Sequence, residues 1–126
     1  MSEVSVRYIV DDVAATTEFY STHLGFEVEQ DAAPDFAALR RGPLRLLVNS
    51  ATGRGGASQP MPDGRRPAPG GWNRVQLQVD DLPALVSGLR TAGVSFRNDV
   101  VSGRGGSQIL LEDPSGNLVE LFQPPE

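Results

Sequence analysis

VRYIVDDV at residues 6–13 and VQLQVDDL at residues 75–82 are two copies of one pattern. Val10, Asp11 and Asp12 return as Val79, Asp80 and Asp81, a constant offset of 69 residues. Each Asp pair is followed by a helix-like segment and then a Gly-centred break, LGF at 24–26 and AGV at 92–94. A repeat of this length marks two copies of one supersecondary unit, each too small to bury its own apolar face.

Working outward from the first copy, Val4, Val6, Tyr8 and Val10 alternate with Ser5, Arg7 and Ile9, which is the period of a strand. Val13, Phe19, Tyr20 and Leu24 then suit a helix from Val13 to His23, with Asp12 as its N-cap and Gly25 ending it. Phe26–Glu29, Phe36–Arg40 and Leu44–Asn49 read as short strands, with RRGP at 40–43 as a tight turn. The second copy repeats the order. A strand at Arg74–Val79 precedes a helix at Leu82–Ala92, and further strands are expected near Ser95–Arg97, at Gln108–Glu112 and at Leu118–Gln123. DPSGN at 113–117 is the turn between the last two. Each copy is therefore β-α-β-β-β, an α+β pattern rather than the strict alternation of a doubly wound nucleotide-binding sheet.

Between the copies, residues 50–72 are dominated by Gly, Pro, Ser and Arg and form a connection. A loop this long is functional or disordered, and its Met61, Trp72 and arginines are placed to lie over a binding site. The expected organisation is one domain over 1–126, with a module at 1–50, a linker at 51–72 and a second module at 73–126.

Composition narrows the chemistry. A net charge of −5 argues against a nucleic-acid partner, which requires a basic face. No apolar run approaches the roughly 20 residues that cross a bilayer, and no signal peptide is read, so cytoplasmic residence is the default. The absence of cysteine removes disulfides, thiolate metal sites and thiol nucleophiles; the absence of lysine removes Schiff-base chemistry. GRGG at 53–56 and again at 103–106 lacks the strand-to-helix context of a phosphate loop and reads as two loop tips. The lone imidazole, His23, stands at a helix C-terminus, where a cation opposes the helix dipole. The Asp pairs read as caps rather than as paired catalytic carboxylates.

The strand ending in V-D-D, the helix carrying EFYSTHLGF and the closing EDPSGNLVELFQP together resemble the vicinal oxygen chelate superfamily. That group contains glyoxalase I, extradiol dioxygenases, fosfomycin-modifying enzymes and bleomycin-resistance binding proteins. The resemblance covers nearly the whole chain. It implies a glyoxalase/bleomycin resistance fold: paired βαβββ modules whose curved mixed sheets enclose a cavity, completed in a homodimer. It also implies metal positions on the first and last strands of each module, which fall here on Ser5, Leu46, Arg74 and Glu120. Only Glu120 is an ordinary ligand, and Arg74 carries a permanent positive charge. No metal and no other cofactor is therefore expected.

Alternation places Arg74, Gln76 and Gln78 on one face of their strand, and Leu118, Glu120 and Phe122 on one face of the last. An Arg74–Glu120 ion pair is expected where relatives hold a metal, with geometry that allows it to be bidentate. The candidate ligand-binding residues are Arg7, Phe36, Leu46, Trp72, Arg74, Gln76, Glu120 and Phe122; Tyr8 is either wall or core. The leading expectation is a binding protein that sequesters a small hydrophobic or aromatic ligand, such as a DNA-damaging antibiotic of the bleomycin, enediyne or mitomycin kind, for self-resistance, with no catalytic residue, no nucleic acid and no membrane. The rival is a glyoxalase-type lyase or isomerase, or a biosynthetic enzyme, with Glu120 as base and Arg74 stabilising an anion. A housekeeping protein of this fold with another ligand stands as a third possibility.

Overall fold

A computed structural model describes residues 2–126. The chain divides into two compact units, one ending at Gly70 and the other running from Gly71 to Glu126. The first contains β1 (Ser5–Val10), α1 (Val13–His23), β2 (Glu27–Ala32), β3 (Phe36–Arg41) and β4 (Leu44–Ser50), followed by a single 3-10 turn at Gly56–Ser58. The second contains β5 (Arg74–Gln78), α2 (Leu82–Thr91), β6 (Val101–Gly103), β7 (Gly106–Glu112) and β8 (Leu118–Gln123). Both sheets are mixed and share one topology, β1-β4-β3-β2 and β5-β8-β7-β6. In each, the first and last strands pair in parallel while the remaining neighbours are antiparallel.

The Asp residues start both helices. Asp12 accepts from Ala15 N at 3.0 Å, and Asp81 accepts from Ala84 N at 3.1 Å, each satisfying an N–H that a helix leaves without an internal partner. Leu82 N, also in that first turn, donates to the Gln123 side chain at 2.7 Å. On α2 the buried side chains are Leu82, Val86 and Leu89, the i, i+4, i+7 stripe of an amphipathic helix. On α1 they are Val13, Thr16, Thr17 and Tyr20, so three of the four carry a hydroxyl. Thr16 returns its hydroxyl to Asp12 O at 2.7 Å, which satisfies the donor inside the core. Tyr20 anchors this unit with its ring edge-on to Phe26 at 5.3 Å. Burying each such large apolar side chain stabilises by about 1.5–3 kcal/mol.

Strand alternation then leaves one face of each sheet away from its helix. In β5, Val75 and Leu77 are buried while Arg74, Gln76 and Gln78 are exposed; in β1, Tyr8 and Val10 are buried while Arg7 is exposed. Tyr8 is thus core, at 8% exposure.

Two expectations for the second unit need correction. The strand expected near Ser95–Arg97 is only an isolated bridge from Phe96 to Leu111; Asn98 occupies the Leu110 N–H with its side chain at 2.9 Å and ends the ladder there. The fourth strand is instead β6, and GRGG at 103–106 is its hairpin turn rather than a free tip. Gly106 is required at that turn: its φ is +119°, and an added Cβ would fall 2.4 Å from Gln123 O. Loop residues 51–73 carry no strand or α-helix and bond mostly among themselves, with Met61 N donating to Arg65 O at 2.7 Å and Met61 46% exposed.

Candidate functional site

The parallel register of β5 and β8 sets Arg74 beside Leu118, Gln76 beside Glu120, and Gln78 beside Phe122. Residues paired in this way share a face, so Glu120 projects among the polar side chains of β5 and away from α2. Its position in the middle strand pair makes it one of the few buried charged groups, at 6% exposure. Such a carboxylate requires partners. Arg74 Nε and Nη2 both donate to Glu120 Oε1, at 3.1 and 3.0 Å, and Gln76 Nε2 donates to Oε2 at 2.6 Å. The expected ion pair is present, but with a different geometry. Both guanidinium nitrogens converge on one oxygen, and Gln76 takes the other.

Arg74 ties this pair to the aromatic edge of the unit. Its Nη1 donates to Trp72 O at 3.3 Å, and the Trp72 ring is covered on one side by the Arg97 guanidinium, 5.1 Å from the ring centroid. Arg97 in turn bonds Glu112 at 3.0 Å. Trp72 is 67% exposed, so the indole is held at its backbone and over one side while much of it meets solvent. Phe122 shares the Glu120 face, and its ring borders Gly106, where a Cβ would lie 3.1–3.2 Å away. Arg97 and Glu112 were not foreseen. Arg97 lies in the irregular stretch before β6, where no periodicity reveals which side chain turns toward Trp72.

In the first unit, Arg7 pairs with Leu47, and Leu47 with Ala38; one row further along, Ile9 pairs with Asn49, and Asn49 with Phe36. Arg7 and Phe36 therefore lie on one face, with the buried Leu47, Ala38 and Asn49 between them. Leu46 does not. It pairs with Val6 and Leu39, is 0% exposed, and belongs to the face that packs with Val10 and Val48 into the core. The position matching Glu120 is Leu47. A count along the sequence misses by one here because register is set by strand pairing, and a one-residue step exchanges the faces.

The metal expected of relatives can be tested on this donor set. Ser5 offers a hydroxyl, and Leu46, or Leu47 by register, offers none. Arg74 offers a fixed cation, and both oxygens of Glu120 are already engaged. That set does not fit a divalent ion. Among the described residues, no three His, Asp or Glu side chains gather as a metal-holding group.

A depression of about 400 Å³ lies elsewhere in the second unit, lined by Arg90, Val94, Phe96, Arg97, Asn98 and Asp99. Arg90 crosses it, stacked on Phe96 at 5.1 Å and bonded to Asp99 at 3.2 Å. It does not include Glu120 or Arg74. His23 closes α1 with its ring against Phe19 at 5.3 Å, the terminal position expected of it. No helix is long and apolar enough to cross a membrane.

The family description Glyoxalase/Bleomycin resistance protein/Dioxygenase superfamily matches residues 4–121. Among solved structures, the chain is similar to an antibiotic-binding protein, TnmS3, from Streptomyces sp. CB03234, with 22% identity and a TM-score of 0.73, over 99% of this chain and 98% of that one. It is similar to a lactoylglutathione lyase from Agrobacterium tumefaciens, with 20% identity and a TM-score of 0.74, over 97% and 92%. The fosfomycin resistance protein FosX of Listeria monocytogenes matches with 16% identity and a TM-score of 0.70, over 99% and 93%. At these identities the likeness establishes the fold, which carries binding proteins and enzymes alike.

Proposed function

We propose, from the premise that the chain belongs to the glyoxalase/bleomycin resistance protein/dioxygenase superfamily, that it is a metal-free binder of a small aromatic molecule. Its role in this reading is to sequester a bleomycin-, enediyne- or mitomycin-like antibiotic for self-resistance, in the cytoplasm and as a homodimer.

One observation carries the reading. Glu120 is the sole ordinary ligand among the four positions where relatives hold an ion, and Arg74 and Gln76 occupy both of its oxygens. The cluster is neutral and internally satisfied. Around it stand groups suited to contact rather than reaction: the exposed Trp72 before β5, Phe122 two residues beyond Glu120 on β8, and the exposed Gln76. Arg7 and Phe36 on the first sheet are assigned to the same task. Apolar walls with a few oriented polar groups are the ordinary make-up of a small-molecule site. Proton abstraction by Glu120 would first have to displace Arg74 or Gln76.

The test is native mass spectrometry of protein taken from its producing cells, followed by calorimetric titration with bleomycin, mitomycin C and an enediyne. Retention of one intact small molecule per site, recovered chemically unchanged after prolonged incubation, is the expected result. Conversion of the guest, or equimolar nickel, zinc, manganese or iron bound through Glu120, overturns it in favour of a lyase or isomerase.

A further inference from the structure

We propose that Arg7 is an anion-binding group, so that the guest taken by the first sheet is an aromatic acid or another aromatic bearing a negatively charged group. This rests on the reading of the protein as a small-molecule binder and names the class of molecule.

The repeat supplies its own template. In the second sheet, the residue opposite Gln76 is Glu120, and its carboxylate satisfies Arg74, the arginine two residues earlier on β5. In the first sheet, the arginine itself occupies the position of Gln76, and the residue opposite it is Leu47. The carboxylate that completes the second face is therefore missing from the first. Arg7 forms no ion pair among the described residues.

The other two arginines of that face are already matched. Arg40 bonds Glu29 at 2.8 Å and also Glu3; Arg45 bonds Glu29 at 3.2 Å. Glu27 lies at the far edge, three strands from β1, or about 14 Å on ordinary strand spacing, beyond the screening distance of roughly 8 Å in physiological salt. Arg7 is thus the arginine of that face left without a counter-charge among the described residues, in a chain whose net charge is −5.

Its surroundings favour a charged partner that brings an apolar body. The row beside Arg7 is Leu47, at 9% exposure, and Ala38, at 0%. Against such a surface a guanidinium is less screened than in open water, and it pairs best with a planar carboxylate. Phe36 stands two strands across and two residues along, on the order of 12 Å from Arg7 between Cα atoms. A guest with its anion on Arg7 would set its apolar body against the partly exposed Ile9 and the margin of Leu47.

The experiment uses the full chain and a matched pair of probes, 1-naphthylacetate and the neutral 1-naphthylacetamide, followed by NMR including the arginine Nε resonances. The acid is expected to bind at least about tenfold tighter than the amide and to shift the Arg7 Nε signal. Arg7→Gln should reduce that preference to less than twofold. Leu47→Glu, which supplies the missing carboxylate internally, should also abolish the preference for the acid. Equal binding of the two probes by the wild type, no binding of either, or an acid preference that survives Arg7→Gln would each overturn the proposal. A protein that retains an intact natural guest but fails to prefer the acid loses this inference alone. One that prefers the acid but converts its natural guest loses the sequestration reading alone.

Discussion

Arg7 and Arg74 project from the first strands of their own sheets, on the face away from the helix, and are treated in opposite ways. Arg74 meets Glu120 at 3.0 Å, while Arg7 lies beside Leu47. The strand-to-helix frames are alike, since a capping Asp and parallel pairing of first and last strands recur in both, although α1 buries Thr16, Thr17 and Tyr20 where α2 buries Leu82, Val86 and Leu89. Helix packing constrains only the inner face of each sheet, and the outer face is free to diverge. On the reading proposed above, a guest would be recognised on these outer faces.

The most severe way to disturb one face without the other is at its hairpin glycine. Gly106→Ala places a methyl group 2.4 Å from Gln123 O and against the Phe122 ring, at a φ of +119°. Backbone strain and overpacking together should cost about 3 kcal/mol. Gly42→Ala in the first sheet has φ +56° with nothing within 4 Å, and only the left-handed backbone term of about 1 kcal/mol remains. Urea unfolding of both variants should separate them clearly. Equal losses would mean that the β6–β7 hairpin is free to relax and does not hold Phe122.

Smaller effects follow from making the second face resemble the first. Arg74→Met strands a carboxylate that is 8% exposed and should destabilise by about 2 kcal/mol, less than for a fully buried pair because the arginine itself is 31% exposed. Glu120→Leu leaves a cation that can turn to solvent, and should cost about 1 kcal/mol or less. The double variant should lose less than the two single changes added together, since neither charge is then stranded. A double-mutant cycle in urea checks the asymmetry; a greater loss from Glu120→Leu would reverse the argument.

The same contrast explains what was legible in the sequence. Val10–Asp12 and Val79–Asp81 announced both strand-to-helix junctions because a cap and a period-two strand leave local signatures. Arg74 and Glu120 could be brought together because each lies on a regular strand whose alternation is readable. Leu46 was misplaced in favour of Leu47 because parallel register depends on a partner strand far away in the chain. Arg97 on Trp72 was invisible for a related reason: it belongs to a segment whose backbone is fixed by Asn98 and Ser95 bonding into β7, not by any local pattern. The short β6 was hidden by its three-residue length and by Gly103 at its end, which carries no strand preference.

The subtlest break in the comparison concerns the two arginines that the first sheet does match. Between Val28 and Gln30 the β2–β3 register shifts, which makes Glu29 the extra residue of a bulge and brings its carboxylate to Arg40 and Arg45. The hydrogen bond from Arg40 holds the Glu29 carboxyl below its ordinary value of 4.5, against the opposing effect of desolvation. Reciprocally, Glu29 and then Glu3 raise the Arg40 guanidinium still higher, beyond any pH at which the protein would be studied. Glu29, with its value depressed on folding, contributes stability that is present above 4.5 and is lost as pH falls through the depressed value. Glu29→Gln should therefore trail the wild type near pH 6 and converge with it as pH falls through the depressed value. The gap should also narrow in 1 M salt, where the screening length is about 3 Å, because these side chains are about a third exposed. The Glu120 pair, with its carboxylate buried, should respond far less to the same salt. Thermal melts of Glu29→Gln and Arg74→Met across that grid distinguish the cases, and a salt response of equal size in both would erase the difference between a solvated ion network and a buried one.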